Sequence, residues 1–342
     1  MILNIIIIIA ILSALLLFHE FGHFLIAKLG GVRVDEFGLG FPPKIFAFQH
    51  GETKYSVNLI PVGAFVRMPN REELTPRNLY FKNPWFKLLE NSAGLIFNII
   101  LAFILFTTAL TMPTSIITGG EGVKVTQVSA GYPAAEADIR EGDVILSING
   151  QDVQALTDVS KIIQDRTGTE TQITLQRADE IITINLVPAT GERPLGITLG
   201  WLKEYTTTYR LSLLEAISES ADIIIHIPTT MRNLISSLIR NPADNLMGPI
   251  GAAQVTGEMI KYGASSVVSV AGSISLGLAL FNLIPIPPLD GAGMALALLE
   301  ILRRGKRLSI KYEQLIYTLG TFLLIILTVF VWYNDILRLI RG

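Results

Sequence analysis

The chain has 342 residues, of which 50% are hydrophobic and only 16% are charged, and this balance excludes an ordinary soluble globular protein. It has no cysteine, so disulfides and thiolate metal sites are excluded and a bound metal would need His, Asp or Glu ligands. The net charge of −2 gives no indication of nucleic-acid binding.

The first predicted element is an apolar helix over residues 2–27, long enough to cross a hydrocarbon core of about 30 Å. Its first residues also resemble the core of a secretory signal peptide. No basic segment precedes this core and no small-x-small cleavage site follows it, so we expect a retained transmembrane helix.

The end of this helix carries the motif His19-Glu20-x-x-His23. Residues at i and i+4 lie on one face of a helix, so both imidazoles can reach a single metal ion. Glu20 points to the side, where it can take a proton from a water that the metal activates. Short motifs recur by chance, but ionisable residues in an apolar helix are costly and indicate function. We therefore predict one zinc ion per chain, with Glu20 as the catalytic residue.

The segment that follows, residues 28–87, carries nine Lys and Arg residues. The positive-inside rule places it in the cytoplasm and the N-terminus outside. Two patches, residues 32–40 and 54–68, are predicted strands of a small membrane-associated β-sheet. The free edge of this sheet could accept an extended substrate strand, although the pattern alone favours a purely structural sheet.

The second predicted span covers residues 88–111. Gly94 and Asn98 lie one turn apart on it, so a neighbouring helix can approach closely and hydrogen-bond to the amide. Asn98 is therefore predicted either to pack the helices together or to support an active site.

Residues 112–204 are predicted to form a globular α+β module outside the membrane, with strands at 123–128, 144–148, 172–175 and 181–186 and a helix at 156–164. Residues 131–150 resemble the PDZ pattern and depart from it at Asp138, where the pattern favours glycine. PDZ folds bind extended peptides at a sheet edge beside a helix. An occluded groove would leave the module as a size filter, and both interpretations stay open.

Residues 205–262 are predicted to be amphipathic or interfacial linker helices, because charged residues interrupt the apolar run at 211–240. His226 lacks a partner at helical spacing, so we expect it at a surface or interface. Residues 263–342 hold the last two predicted spans, at 264–281 and 317–333.

Asp290 follows a proline-rich break after the third span. Proline removes backbone donors, and unwound backbone at membrane depth is tolerated only inside protein or beside a wet cavity. Asp290 could cap the next helix. Beside an unpaired His-Glu-x-x-His motif it is the better candidate for a third zinc ligand. Five basic residues between 303 and 311 make the next loop cytoplasmic, so four spans leave both termini outside.

Taken together, these motifs resemble the site-2 protease family of intramembrane zinc metalloproteases, and most closely the bacterial group that cleaves anti-sigma factors and signal-peptide remnants. The resemblance is carried by the His19–His23 motif and by residues 282–291, which read N-L-I-P-I-P-P-L-D-G. Residues 55–68, the PDZ-like stretch and residues 245–251 support it. The resemblance covers essentially the whole chain and implies a bacterial inner (cytoplasmic) membrane.

The resemblance implies that His19, His23 and Asp290 hold zinc while Glu20 acts as general base and acid. It also implies that the proline loop contacts the substrate backbone, that the sheet pairs with an unwound substrate helix, and that the PDZ module admits substrates already trimmed by another protease. The predicted substrate-binding residues are Asn282, Pro285, Pro287, Tyr55, Val57 and Asn98. Many relatives have a histidine, not a zinc ligand, where this chain has Gly293.

The sequence thus predicts a polytopic α-helical membrane protein with about four transmembrane helices, an inserted extracytoplasmic PDZ domain and a small β-sheet, divided at residues 1–111, 112–204, 205–262 and 263–342. Its predicted function is zinc-dependent cleavage of single-pass membrane proteins within or near the lipid bilayer. One alternative is a non-catalytic membrane PDZ scaffold with a structural metal, against which the intact Glu20 argues. The other is a zinc transporter, which would need more polar residues along its spans.

Overall fold

The computed structural model describes residues 2–69, 75–129, 131–191, 193–240, 259 and 262–341. These residues form two compact units. The helical unit runs up to Thr114 and from Arg210 to Ile336, and the globular module is Ser115–Tyr209, with which the chain end from Leu337 is grouped. The supporting sequence match at 245–251 lies outside the described residues.

Helices α1 (Ile2–Leu29) and α2 (Pro84–Thr111) form the first two predicted spans, and both extend beyond the predicted limits. The start of α2 is fixed by Asn83, whose side chain accepts a hydrogen bond from the Phe86 N–H at 2.8 Å. Pro84 occupies the first helical position, where its missing N–H would have had no helical partner.

The C-terminal part of the helical unit contains α7 (Ala264–Asn282), α8 (Asp290–Leu302) and α9 (Ile310–Arg341). Helix α2 contacts α1, α7 and α8 and is therefore the central helix of the unit. Within the described residues, four helices are long and apolar enough to cross a membrane, and this confirms the predicted number of apolar spans. Their apolar stretches are Ile6–Leu29, Pro84–Thr111, Ala264–Asn282 and Ile310–Asn334.

The predicted amphipathic region forms two helices, α5 (Leu213–Ile225) and α6 (Ile227–Arg240). Helix α5 begins with a reciprocal cap between Ser212 and Glu215. His226 lies at the break between the two helices, where its exposed ring is 2.7 Å from the Asp222 carbonyl oxygen.

Strands β1 (Glu36–His50) and β2 (Thr53–Arg67) form an antiparallel hairpin in the helical unit. Strand β2 bends back across β1, so that Phe37 of β1 lies opposite Tyr55 on one side and Val66 on the other. The first half of β1 therefore lies between the two halves of β2. Two segments have described strand partners on one side only and therefore form the edges of this sheet. They are residues 44–50 and 64–67.

The globular module contains β3 (Thr114–Val128), α3 (Pro133–Glu136), β4 (Val144–Ile148), β5 (Gln151–Asp152), α4 (Leu156–Gln164), β6 (Thr171–Arg177), β7 (Glu180–Leu186) and β8 (Ile197–Tyr209). The strands are ordered β7-β6-β4-β3-β8, with β5 paired to β4. Alternating strand residues fill an apolar core, and the fully buried members of the central strands are Val123, Val125, Ile145, Ile148, Ile173 and Leu175.

The bounds of β4 and α4 agree with the prediction, whereas β3 begins well before residue 123. Strand β8 was not predicted and continues beyond residue 204, where the module was expected to end. Its apolar residues alternate at Ile197, Leu199 and Trp201, and the first two pack against the core of the module. The second half contains charged residues and three consecutive threonines and is exposed.

Candidate metal centre

Three side chains of ligand type converge between α1 and α8. His19 and His23 lie on one face of α1, and Asp290 is the first residue of α8. One ligand atom from each lies within 4.8 Å of the other two, and both imidazoles are buried. The helical spacing therefore brings the histidines together as predicted, and the tertiary fold adds the aspartate from 267 residues away.

The spacing of these donor atoms fits a tetrahedral zinc site. The Asp290 Oδ2 atom lies 3.1 Å from His19 Nε2 and 3.3 Å from His23 Nε2. Ligand bonds of about 2.0–2.1 Å at tetrahedral angles place neighbouring donor atoms roughly 3.3 Å apart. Two nitrogens and one carboxylate oxygen also leave the fourth position open, as in catalytic zinc sites.

The far side of each imidazole is held by a polar side chain of α2. Glu90 Oε1 lies 3.2 Å from His23 Nδ1, and the Asn98 amide lies 3.2 Å from His19 Nδ1. A histidine that binds metal through Nε2 carries its proton on Nδ1, which needs an acceptor, and the Glu90 carboxylate supplies one to His23. The Asn98 atom next to His19 Nδ1 is Nδ2, so Asn98 accepts from this ring only after its amide is turned to present Oδ1. These contacts orient both rings with Nε2 towards Asp290.

Gly94 provides the space in which the two imidazoles lie. A Cβ atom at this position would be 2.4 Å from His19 Cε1 and 2.5 Å from both Nε2 atoms. Gly94 lies between Glu90 and Asn98 on one face of α2. On successive turns of that face, Glu90 contacts His23, Gly94 leaves space for both rings, and Asn98 contacts His19.

Glu90 was not among the site residues predicted from the sequence. Asn98 was predicted to bind substrate, but the structure places it fully buried beneath His19. The signal that could have identified Glu90 was its position one turn before Gly94 and two turns before Asn98, since an ionisable residue inside an apolar span indicates function.

Glu20 lies outside the three-donor cluster and contacts the hairpin. Its Oε2 atom accepts a hydrogen bond from the Val66 N–H at 3.1 Å. Val66 belongs to the edge formed by residues 64–67, and within the described pairing its strand partner is Phe37. The carboxylate that follows the first histidine therefore lies beside a sheet edge.

Fewer residues of the sheet can pair with an added strand than its sequence suggested. Tyr55 is paired with Phe37 and Phe48, and Val57 is paired with Leu39 and Phe46, so both backbones have partners on each side. Neither residue can hydrogen-bond an added strand through its backbone. The predicted strand addition is restricted to the edges, and the edge beside Glu20 is residues 64–67.

The proline-rich break lies between α7 and α8. Asn282 ends α7 and is half-buried, and Pro285 is exposed in the loop that follows. Pro287 is buried against α9, since a Cβ atom at Gly320 would lie 2.6 Å from its ring. Of the three, Asn282 and Pro285 remain open to a substrate, whereas Pro287 positions the loop on α9.

A family model described as Peptidase family M50 matches residues 7–327 of the chain. The chain belongs to this family. M50 peptidases are the site-2 proteases, so the predicted resemblance, the metalloprotease class and the use of zinc are confirmed. The four apolar helices agree with an M50 membrane protein.

Relatives of this M50 peptidase match along nearly its whole length. A Clostridium perfringens protein assigned as a zinc metalloprotease is 29% identical over 330 residues, which cover 95% of this chain and 96% of the relative. The regulator of sigma-W protease RasP of Bacillus subtilis is 26% identical over 418 residues and covered to 97% in both chains. A chloroplastic membrane metalloprotease of Arabidopsis thaliana, ARASP, is 28% identical over 354 residues, covering 97% of this chain and 78% of ARASP.

The solved structures similar to the M50 peptidase include isolated PDZ domains. One is the PDZ domain of an SdrC-like protein of Listeria monocytogenes, which is 22% identical to this chain. The match covers 25% of this chain and 93% of that domain, with a TM-score of 0.22.

Proposed function

We propose that this M50 peptidase cleaves single-pass membrane proteins within or near the bilayer, in regulated intramembrane proteolysis of anti-sigma-factor or signal-peptide-remnant substrates. The position of the three-donor cluster carries the proposal. His19 and His23 lie in the apolar stretch Ile6–Leu29, which is long enough to cross a membrane. Hydrolysis at this cluster would therefore take place at membrane depth, where a soluble peptidase has no access.

His19, His23 and Asp290 are the residues proposed to hold one zinc ion, with Glu90 and Asn98 orienting the imidazoles. Zinc bound there would polarise a carbonyl oxygen and lower the pKa of water. Glu20 is proposed to remove the proton from the attacking water and to deliver it to the nitrogen of the leaving amine. Its contact with the Val66 N–H holds the carboxylate beside the cluster.

The substrate is proposed to reach this site in an unwound form. A transmembrane helix hides its peptide bonds in its own hydrogen bonds, so it must unfold locally before it can be cut. The edge at residues 64–67 offers replacement backbone partners beside Glu20. Asn282 and Pro285 of the proline loop are proposed to contact the substrate backbone, and the side chains of Tyr55 and Val57 to contact its side chains.

The globular module is proposed to be a PDZ domain on the extracytoplasmic side of a bacterial inner membrane, with both chain termini on that side. Strand β8 ends the sheet and leaves an edge beside α4. A cavity of about 150 Å³ lies there, lined by Val159 and Ile163 of α4 and by Leu195 and Ile197. An open cavity with polar and apolar lining beside a sheet edge favours peptide binding over a plug, and the peptide end left by an earlier protease is the proposed ligand.

Cleavage of a single-span substrate by the full chain in liposomes tests the proposed chemistry. We expect Glu20→Gln to lower the rate by about 10²–10⁴-fold, the usual contribution of a general base, and to keep its zinc. A zinc chelator should abolish cleavage by the unchanged protein. Glu219→Gln is the matched control, because this exposed glutamate lies on α5, away from the cluster.

Cleavage by Glu20→Gln at the rate of the unchanged protein would contradict the proposed role of Glu20. Stoichiometric zinc in an unchanged protein that cleaves no single-span substrate would instead support the scaffold or transporter alternative. Zinc content is therefore measured by metal analysis on every preparation.

A further inference from the structure

A polar cavity lies in the helical unit away from the three-donor cluster. It has a volume of about 260 Å³ and is enclosed by the start of α2, the end of α8, the start of α9 and the short 3-10 helix Leu79–Phe81. We call it the basic cavity, after the side chains of Lys87, Arg303 and Lys306 that line it. The proposed proteolysis uses none of these three side chains.

The charges around the basic cavity leave an excess of cations. Glu300 is held on both sides, by Lys87 Nζ at 2.8 Å and by Arg307 Nε at 3.0 Å. Arg303 and Lys306 are exposed, and neither forms an ion pair with another described residue. Glu313 is the second carboxylate in the lining. Three basic side chains therefore face two acidic ones, and Arg307 also neutralises Glu300. An anion entering the cavity would therefore find positive charge.

The basic cavity lies where two apolar spans begin. The span of α2 starts at Pro84 and that of α9 at Ile310, and the cavity is formed by the first turns of both. This is the depth at which lipid headgroups meet the hydrocarbon core, and aromatic residues are enriched there. Tyr80 has Lys87 at 5.3 Å and Arg307 at 4.7 Å from its ring centroid, so its ring keeps two cations near the opening.

A shallow, open and mostly apolar groove continues from the basic cavity along α9. Its lining comes from this one helix and, besides Tyr317, consists of Thr318, Thr321, Phe322 and Ile325. Tyr317 lines both the groove and the cavity, so the two are contiguous. Phe322 and Ile325 are more than half exposed and offer an apolar surface at hydrocarbon depth.

We propose that the basic cavity and this groove together bind one anionic phospholipid. Its phosphate would lie near Arg303, Lys306 and Lys87, since basic pockets between membrane helices bind anionic headgroups. One acyl chain would follow the groove past Phe322. A free phosphate would use only the cavity, so the adjoining groove favours a lipid.

The bound lipid would join the helices that carry the metal site. Asn91 of α2 and Gly293 of α8 lie at the inner end of the basic cavity, and a Cβ atom at Gly293 would be 1.8 Å from Asn91 Oδ1. Asn91 immediately follows Glu90, and Gly293 lies one turn after Asp290. A lipid that holds α8 and α9 against α2 would therefore stabilise the arrangement in which Asp290 meets the two histidines.

Native mass spectrometry of the full, delipidated chain tests lipid binding without reference to proteolysis. The protein is titrated with phosphatidylglycerol, with phosphatidylcholine or with inorganic phosphate. We expect one phosphatidylglycerol to be retained in preference to phosphatidylcholine. The double variant Arg303→Gln/Lys306→Gln should weaken this binding about 30-fold, since each basic side chain near a membrane surface contributes about fivefold. Its charge-matched control is Arg304→Gln/Lys311→Gln, which alters neighbouring basic residues that do not line the cavity.

A second pair of variants tests the acyl-chain groove. Thr321→Trp fills the groove and should displace the lipid, whereas Leu323→Trp, at an exposed position of the same helix outside the groove, should leave binding intact. Equal loss in the two charge variants, or equal retention of phosphatidylcholine, would overturn the proposal. Two results together would replace the lipid assignment with a simple anion site. Phosphate would compete fully with phosphatidylglycerol, and Thr321→Trp would leave binding unchanged.

Discussion

The helical unit and the globular module differ in the side chains that they bury beside the apolar ones. The module encloses apolar residues such as Ile145 and Leu175 and places its charges outside or at the edge of the core. The helical unit buries His19, His23 and Glu90 and exposes large apolar residues such as Phe322. In the module burial therefore stabilises the fold, whereas in the helical unit it maintains a polar cluster at membrane depth. Mutations in the two units should accordingly separate activity from stability.

The largest expected effect is on activity, in the helical unit. His23→Ala removes one of the three candidate ligands, so bound zinc should be lost and cleavage should fall to the level of the chelator-treated protein. The thermal unfolding midpoint, measured without added zinc on both proteins, should change by only a few degrees, because no apolar core is opened. His226→Ala, at an exposed histidine, is the control. Stoichiometric zinc in the His23→Ala protein would disprove this ligand assignment.

The largest expected effect on stability is in the module. Leu175→Ala in β6 leaves a cavity beside Ile145 and Ile173 and should cost about 2–5 kcal/mol. Hydrogen exchange of the β6 amides reports on this unit separately, which matters because unfolding of a chain with two units is not a single two-state transition. Bound zinc should be retained. Faster exchange that was confined to the α1 amides would show that the two units do not behave independently.

Gly94→Ala should produce a smaller effect that acts on the metal site alone. The added Cβ would lie 2.4–2.5 Å from the imidazoles, so the rings must move and zinc affinity should fall about 10–100-fold. Gly277→Ala in α7 is the matched control, since nothing lies within 4 Å of its added Cβ. This second variant should be neutral or slightly more stable, by up to about 1 kcal/mol. Zinc titration compares the two, and equal affinities would show that the close approach at Gly94 is unimportant.

The smallest expected effect is a pH dependence in the module. Burial acts to raise the pKa of Asp143, but the Arg177 guanidinium, at 2.8 Å from both carboxylate oxygens, and the Arg140 N–H outweigh it and hold the pKa below its usual value. A lowered pKa in the folded state stabilises the module above about pH 4, and this contribution is lost as the pH falls through the folded-state pKa.

Arg177→Gln should remove most of this pH dependence and cost about 1–3 kcal/mol at neutral pH. Hydrogen exchange of the β4 amides between about pH 3 and pH 7, corrected for the intrinsic exchange rate, measures both effects. Arg166→Gln, an exposed arginine just after α4, serves as the control. If the two variants lost stability alike at every pH, the pairing of Arg177 with Asp143 would not be its source.

The sequence by itself determined the parts of the protein that depend on local periodicity and composition. Unbroken apolar runs can only be satisfied as helices in lipid, so four spans followed from them. The i, i+4 spacing of His19 and His23 places them on one face of any helix. Apolar periodicity, of two residues for a strand and about 3.6 for a helix, located β4 and α4 to the residue.

The tertiary structure decided what depends on distant residues meeting. It brought Asp290 to the two histidines and placed Glu90 and Asn98 on the far side of their rings. It also placed Glu20 beside Val66. It also folded the hairpin so that Tyr55 and Val57 are internal, a result of long-range pairing that no local pattern records. Side-chain contacts across 67 or 267 residues depend on how helices pack, and a single sequence carries no direct signal of that packing.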